Sequence, residues 1–198
     1  LLRTAMIALI LGLSASVGLG LVFELTSNTI KSGEDVEKKL GMPLLGYLPL
    51  LAGNVEQPGL TFFEYINNPE SRFSEALRTL RTSINLSTLN NRGVQRLMVT
   101  SSQSSEGKSS VALTLATTIG QTAKVLLIDG DLRRPSLERI LNESPHKHLG
   151  LSDVIAKSAT IEEATFHRDD AHIDVMFAGS RTLRPLELLE SQQFAELM

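Results

Sequence analysis

The N-terminal end of the chain is a long apolar run, and no charged residue occurs from Thr4 to Phe23. A helix of about 20 residues, rising ~1.5 Å per residue, spans the hydrocarbon core of a bilayer, which is roughly 30 Å thick. The run therefore predicts a transmembrane helix, to which we assign residues 1–25. A signal peptide is the alternative, because Ser14-Ala15-Ser16 resembles a cleavage site, although its apolar core spans only about 7 to 15 residues.

Basic residues on the two sides of this predicted span indicate its orientation. Arg3 is the only basic residue before it, whereas Lys31, Lys38 and Lys39 follow it. Because Lys and Arg concentrate in cytoplasmic loops, the C-terminal side is predicted to face the cytoplasm.

The next segment, residues 26–68, is predicted to be a cytoplasmic linker. Its polar and apolar positions fit a short helix at 33–40. The Gly and Pro residues of 41–49 allow an extended segment and no long helix.

A helix start at Asn68 marks the beginning of the predicted globular domain, residues 69–198. Asn68 can cap a helix, Pro69 suits the first turn, and Glu70 places a carboxylate near the positive end of the helix dipole. Apolar side chains then recur at helical spacing and predict one buried face: Phe73, Ala76, Leu77, Leu80 and Ile84. Beside this face charged side chains recur every third position: Arg72, Glu75, Arg78 and Arg81. This pattern by itself favours a solvated face with weak ion pairs.

A strand, a polar loop and a second helix are predicted further along the chain. RLMVT at 96–100 fits a short buried strand, and 108–121 fits a helix. The segment between them, SSQSSEGK, is therefore predicted to be a strand-to-helix turn. Such a turn binds phosphate because the helix N-terminus presents unpaired N–H groups and the positive end of its dipole.

Two residues at the end of this turn have the chemistry of a nucleotide site. Lys108 could reach the β and γ phosphates, and the hydroxyl of Ser109 could ligate Mg²⁺. The strict pattern GxxxxGK[ST] fails because Ser102 stands where its first glycine belongs. A serine-rich helix cap without a nucleotide is therefore the alternative.

A second apolar run, KVLLI at 124–128, ends in the carboxylates Asp129 and Asp131. In a strand–helix–strand unit with a right-handed crossover, the carboxyl ends of both strands meet at one edge of the sheet, so both carboxylates are predicted near Lys108. There they could ligate a metal directly or through water, or accept the proton of a hydroxyl nucleophile.

Composition limits the other possibilities. The 198 residues suit one domain plus an appendage, and the net charge of -3 without a dense Lys/Arg run argues against nucleic-acid binding. The absence of cysteine excludes disulfides and Cys-ligated zinc, and His146, His148, His167 and His172 have no metal-ligand spacing. Because the chain begins with Leu1 rather than Met, we expect it to be a fragment.

In these motifs the sequence resembles the bacterial tyrosine kinases fused to polysaccharide co-polymerases, the Wzc and ExoP type of capsule and exopolysaccharide proteins. The resemblance rests on the span, GMPLLGYLP, EALRTLRTSI, TSSQSSEGKSS, VLLIDGDLRRP, GLSDVI at 150–155 and PLELLES at 185–191, which occur in the family's order. It implies an α/β fold, a P-loop NTPase-like and mainly parallel sheet with flanking helices, preceded by one transmembrane helix.

The resemblance also implies roles for individual residues. Lys108, Asp129 and Asp131 would be catalytic, with Ser109, Asp129 and Asp131 around Mg²⁺. ATP would contact Arg133 and the phosphate loop, which consists of Ser104, Ser105, Glu106, Gly107, Lys108, Ser109 and Ser110. Glu75, Arg78 and Arg81 would form the contact through which subunits assemble into a ring, which replaces the interpretation as a merely solvated face.

Three features depart from the family's pattern. Ser104 and Ser105 stand where Pro-Gly is usual. The Walker B strand with its metal-binding Asp is expected beyond Met198. The C-terminal tyrosine cluster is absent, and Tyr47 and Tyr65 lie in a different region.

The function implied by the resemblance is a membrane-anchored, ATP-dependent tyrosine autokinase that regulates exopolysaccharide or capsule polymerisation and export. Its partners would be other copies of itself, the polymerase and export machinery and a cognate tyrosine phosphatase, and its globular part would be cytoplasmic, at the bacterial inner membrane. One alternative is a kinase-inactive chain-length regulator that binds nucleotide or only assembles. Another is a partitioning-type P-loop ATPase, which Gln103 opposes because that group has a lysine there.

Overall fold

The structure, a computed structural model, describes residues 2–26, 30, 32–51, 59–87, 96–144 and 147–198. Lys31 and His146, both named above, lie outside the described residues. The chain divides into two compact units, Leu1–Leu44 and Leu45–Met198. The segment predicted as a linker, residues 26–68, is thus shared between the two units.

The described part of the first unit contains two helices. Helix α1, Leu2–Thr26, contains an apolar stretch of 22 residues, Leu2–Phe23, with mean hydropathy 2.3. Among the described residues it is the one helix long and apolar enough to cross a membrane, and a signal sequence would meet the same criteria. Helix α2, Gly33–Leu40, matches the predicted short helix and is capped by Ser32, whose hydroxyl accepts the Asp35 N–H.

The second unit begins with three longer helices: α3, Leu60–Asn67, α4, Arg72–Ser87, and α5, Lys108–Gly120. The predicted start of α4 at Asn68 is wrong by a few residues. The hydroxyl of Ser71, rather than the side chain of Asn68, accepts the N–H of Ser74 at 3.2 Å and caps the helix. The predicted boundaries of α5 are confirmed to within a residue.

The sheet in the described part of the chain has three strands: β1, Leu126–Ile128, β2, Phe166–Arg168, and β3, Ile173–Met176. Their order is β1-β3-β2, with β1 parallel and β2 antiparallel to β3. A mainly parallel sheet is therefore not confirmed. The short connection between β2 and β3 requires an antiparallel pair, because a parallel pair needs a crossover of about a dozen residues or more.

The predicted buried strand at 96–100 is not formed. These residues have no strand assignment, and the side chains of Leu97 and Met98 are exposed. None of β1 to β3 pairs with this segment. Its apolar side chains therefore have no neighbouring strand to pack beside.

Short helices complete the second unit: α6, Leu137–Ile140, α7, Leu151–Ile155, α8, Pro185–Leu189, and α9, Gln192–Leu197. The main core packs Leu113 of α5 and Phe62 of α3 against Val175 of β3. A second cluster joins Phe73 and Leu77 of α4 to α5. The sheet and α4 thus hold α5 and its N-terminus in place.

Candidate active site

The polar turn before α5 is shaped by two residues with positive φ angles. Gly107 has φ 82° and directly precedes the first residue of α5. Ser105 has φ 65°, a left-handed conformation that glycine normally supplies. The turn therefore follows a glycine-like path at Ser105 despite its serine-rich sequence.

The carboxylate of Glu106 accepts hydrogen bonds from other residues of this turn. Glu106 accepts the backbone N–H of Gln103 at 3.0 Å and hydrogen bonds from the hydroxyl of Ser102 at 3.2 Å. These contacts, led by that of Gln103, lower the pKa of Glu106. The exposed side chain of Glu106 therefore remains ionised near neutral pH and links both ends of the turn.

Lys108 lies beside one of the two predicted carboxylates. Its Nζ is 3.7 Å from Oδ2 of Asp131, and both side chains are about one-third exposed, at 33% and 34%. Ser109 and Ser110 occupy the first turn of α5 and are half-buried. The structure thus brings Lys108 and Asp131 together from separate elements, although the first strand of the predicted strand–helix–strand unit does not form.

Asp129 lies in a different environment, with only 6% of its surface exposed. Its Oδ1 accepts the N–H of Asp131 at 3.1 Å, and its Oδ2 accepts the N–H groups of Ser136 at 3.0 Å and Leu137 at 3.1 Å. Burial raises the pKa of Asp129, and these hydrogen bonds oppose the shift. Asp129 therefore ties the end of β1 to the start of α6.

Asp131 is held in the bend that Asp129 closes. Oδ1 of Asp131 accepts the N–H of Arg134 at 3.0 Å, while its Oδ2 is the atom that approaches Lys108. Arg133 and Ser104, the other predicted nucleotide contacts, are exposed. The two carboxylates of the motif thus have separate surroundings, one buried in backbone contacts and one open towards the lysine.

The charged face of α4 has contacts of its own. Arg78 bonds the carboxylate of Glu75 at 3.2 Å and the carbonyl of Pro69 at 2.7 Å. Arg81 donates to the carbonyl of Thr118, in the last turn of α5, at 2.9 Å. Arg81 therefore attaches α4 to α5, which the interpretation as a solvated face did not anticipate.

One carboxylate that the sequence analysis did not single out organises the edge of the sheet. Asp153 is buried, and its Oδ2 accepts the N–H groups of Gly150 at 2.9 Å and Ser180 at 3.1 Å. Because Asp129 donates its N–H to the carbonyl of Met176, the loop after β3 begins at the same edge as the predicted site. The sequence signal that could have identified Asp153 is its position three residues after Gly150, where a carboxylate can accept the N–H of the residue that begins a helix.

Comparisons with known proteins place these motifs in a family. The chain is 36% identical over 133 residues to the tyrosine-protein kinase YwqD of Bacillus subtilis (strain 168), covering 67% of this chain and 55% of that protein. It is 30% identical over 206 residues to the putative tyrosine-protein kinase AmsA of Erwinia amylovora, covering 96% of this chain and 28% of that protein. No family model matches.

A solved structure agrees with these relatives. The kinase domain of Escherichia coli tyrosine kinase ETK superposes with a TM-score of 0.72 at 27% identity, over 85% of this chain and 67% of that chain. The chain spans about half or less of the length of the two curated relatives above. By sequence and by fold, the chain belongs to the family of bacterial tyrosine-protein kinases that includes YwqD, AmsA and ETK.

Proposed function

We propose that this chain is the ATP-binding part of a membrane-anchored protein tyrosine autokinase. The observation that carries the proposal is the approach of Lys108 to Asp131 at the N-terminus of α5, beside the end of β1. The names of the relatives supply the reaction, transfer of a phosphoryl group to tyrosine. Helix α1 supplies the proposed anchor, and Lys38 and Lys39 after it favour a cytoplasmic globular part at the bacterial inner membrane.

The donor set suits Mg-ATP. Mg²⁺ takes one or two carboxylates together with phosphate oxygens and water, so it does not need a dedicated protein cage. The hydroxyl of Ser109 and the carboxylate of Asp131 would hold the ion. When bound, ATP supplies the phosphoryl group that is transferred.

The remaining work is positioning and charge compensation. Lys108 and the N–H groups at the start of α5 would neutralise the phosphates, with Arg133 and the loop residues Ser104 to Ser110 around them. We assign proton acceptance and metal binding to Asp131, because its Oδ2 is open towards Lys108. We assign Asp129 chiefly to positioning, because both of its oxygens already accept backbone N–H groups.

Assembly belongs to the same proposal. Glu75, Arg78 and Arg81 would contact the neighbouring subunit of a ring, in which one copy phosphorylates the next. The exposure of the Glu75 side chain, 71%, supports its availability for such a contact. The regulated process would be polymerisation and export of exopolysaccharide or capsule, with the polymerase machinery and a tyrosine phosphatase as partners.

The decisive test is Lys108→Met in the full chain, purified in detergent with Mg-ATP and a synthetic Glu/Tyr copolymer as acceptor. Loss of the charge next to the phosphates should lower phosphotyrosine formation by roughly 100-fold or more. Lys124→Met, an exposed lysine just before β1, is the matched control and should keep the parent rate. An undiminished rate in Lys108→Met would contradict the assignment.

A kinase-inactive regulator is the second candidate, and Ser105 is the observation that favours it. A non-glycine residue at φ 65° costs about 1 kcal/mol, which could weaken binding of the phosphates. Such a protein would bind ADP or form rings without producing phosphotyrosine on the copolymer. A partitioning-type ATPase would instead show hydrolysis stimulated by DNA.

A further inference from the structure

The two tyrosines of the chain differ sharply in access to solvent. Tyr65 is 3% exposed, and its hydroxyl oxygen is buried without a hydrogen-bond partner among the described residues. Tyr47 is 67% exposed. Of the two phenols, only that of Tyr47 can meet a phosphoryl donor without unfolding.

The segment around Tyr47 has no regular secondary structure and packs against α4. Leu48 and Leu51 pack against the cluster that contains Phe73 and Leu77. Tyr47, the residue before Leu48, is not part of that cluster. Pro49 lacks an N–H and restrains the residue before it to extended conformations. The phenol is thus exposed on a segment whose next residues, Leu48 and Leu51, are packed against α4.

Tyr47 also lines a groove whose wall includes a positively charged side chain, that of Arg72. The groove has a volume of about 400 Å³ and is formed by Gly46 and Tyr47 on one side and α4 on the other. The residues of α4 in its wall are Arg72, Glu75, Ala76 and Thr79. The exposed guanidinium of Arg72 is the kind of group that binds a phosphate with two parallel hydrogen bonds.

We propose that Tyr47 is a site of tyrosine phosphorylation in this chain, and the proposal rests on the kinase activity proposed above. In the transfer, the phenolic oxygen bonds to the γ-phosphorus of ATP, the bond from that phosphorus to the β-phosphate oxygen breaks, and ADP leaves. Because one copy phosphorylates the next in the proposed ring, the phenolic proton passes to the carboxylate of Asp131 in the neighbouring copy. The product is a dianionic phosphotyrosine in the groove.

The modification would change the charges on α4. A phosphate brings about -1.5 to -2 charges at neutral pH, so it would attract Arg72 and repel Glu75. Glu75 pairs with Arg78 at 3.2 Å, and both belong to the proposed subunit contact. Phosphorylation of Tyr47 thus acts on the same helix face that assembles the ring.

The test incubates the full chain with Mg-ATP in detergent and locates phosphotyrosine by mass spectrometry. Trypsin leaves both tyrosines on one peptide, because no Lys or Arg lies between Lys39 and Arg72, whereas cleavage after Glu56 separates them. We expect phosphate on Tyr47, a loss of at least ~10-fold in internal phosphotyrosine in Tyr47→Phe, and the parent level in Tyr65→Phe. In phosphorylated Arg72→Gln, a tyrosine phosphatase should remove the phosphate several-fold faster.

The outcomes separate the two proposals. Phosphorylation of the copolymer without phosphate on Tyr47 would overturn the assignment of Tyr47 and leave the kinase intact. Phosphate on Tyr65 alone would overturn it as well. Absence of phosphotyrosine on both the copolymer and the chain would overturn the kinase activity and the assignment together.

Discussion

The loop before α5 and the bend after β1 are both held by the hydrogen bonds of one carboxylate, which is exposed to solvent in the loop and buried in the bend. In each, one carboxylate accepts hydrogen bonds from residues within eight positions of it, from an N–H and a hydroxyl at Glu106 and from three N–H groups at Asp129. Glu106 does so in solvent, and its hydrogen bonds lower its pKa. Asp129 does so in the protein interior, where burial raises its pKa although it accepts three N–H groups.

This difference shows which of the two segments is part of the folded framework. The contacts of Glu106 reach back to residues of the same loop, Ser101 to Gln103, so the loop closes on itself. Those of Asp129 join β1 to α6, and its own N–H reaches Met176 at the end of β3. The bend is therefore built into the core, while the loop stays exposed at the surface.

The strongest test of this contrast is Asp129→Ala. Removing the carboxylate deprives three largely buried N–H groups of their acceptor, and we expect a loss of about 3 kcal/mol in the free energy of unfolding. Asp131→Ala, the matched change two residues later, should cost less than about 1 kcal/mol because that side chain is partly exposed. Denaturant unfolding of the detergent-solubilised chain measures both, and equal losses would contradict the contrast.

A smaller effect is expected from Ser105→Gly. Glycine removes the cost of a left-handed serine, about 1 kcal/mol. It also makes the unfolded chain more flexible, which lowers the free energy of unfolding by roughly 0.5 kcal/mol. The net change should be a gain of about 0.5 kcal/mol, together with tighter ADP binding in calorimetry. Ser104→Gly is the control: its φ is not positive, so only the entropic cost of about 0.5 kcal/mol applies. A loss in both variants would argue against strain at Ser105.

The smallest expected effect is that the pKa values of Asp129 and Glu106 are shifted in opposite directions. Carbon-detected NMR should give Asp129 a pKa above the ordinary aspartate value of 3.8 and Glu106 a pKa below the ordinary glutamate value of 4.5. Glu106→Gln should remove one of these transitions and leave that of Asp129 in place. A low pKa for Asp129 would mean that its hydrogen bonds outweigh its burial.

These directions determine how each group makes stability depend on pH. Between 3.8 and its raised pKa, Asp129 binds more protons in the folded state than in the unfolded state, so its contribution falls as pH rises through that window. Glu106 binds fewer protons when folded, so its contribution rises with pH through the window just below 4.5. Above pH 3.8 the free energy of unfolding of Asp129→Ala should therefore rise more steeply with pH than that of the parent, because the contribution that falls with pH has been removed.

Local pattern was sufficient for the elements with strong periodicity or caps. The helices at 33–40 and 108–120 follow from the spacing of their polar and apolar residues, whereas Asp131 approaches Lys108 without the first strand on which that prediction depends. The strand expected at 96–100 does not form, because a short apolar run becomes a strand only where another strand pairs with it. The start of α4 moved to Ser71 because a nearer hydroxyl satisfied the helix N–H groups.

The sequence by itself determined the apolar N-terminal helix, the polar turn that leads into α5 and the pair of carboxylates after β1, because each depends on residue types at fixed spacing. Only the tertiary structure decided which carboxylate is buried in backbone contacts and which faces Lys108. It also decided that Tyr65 is enclosed while Tyr47 is displayed beside Arg72. Burial and the direction of a side chain depend on segments distant in the chain, and no local pattern contains that information.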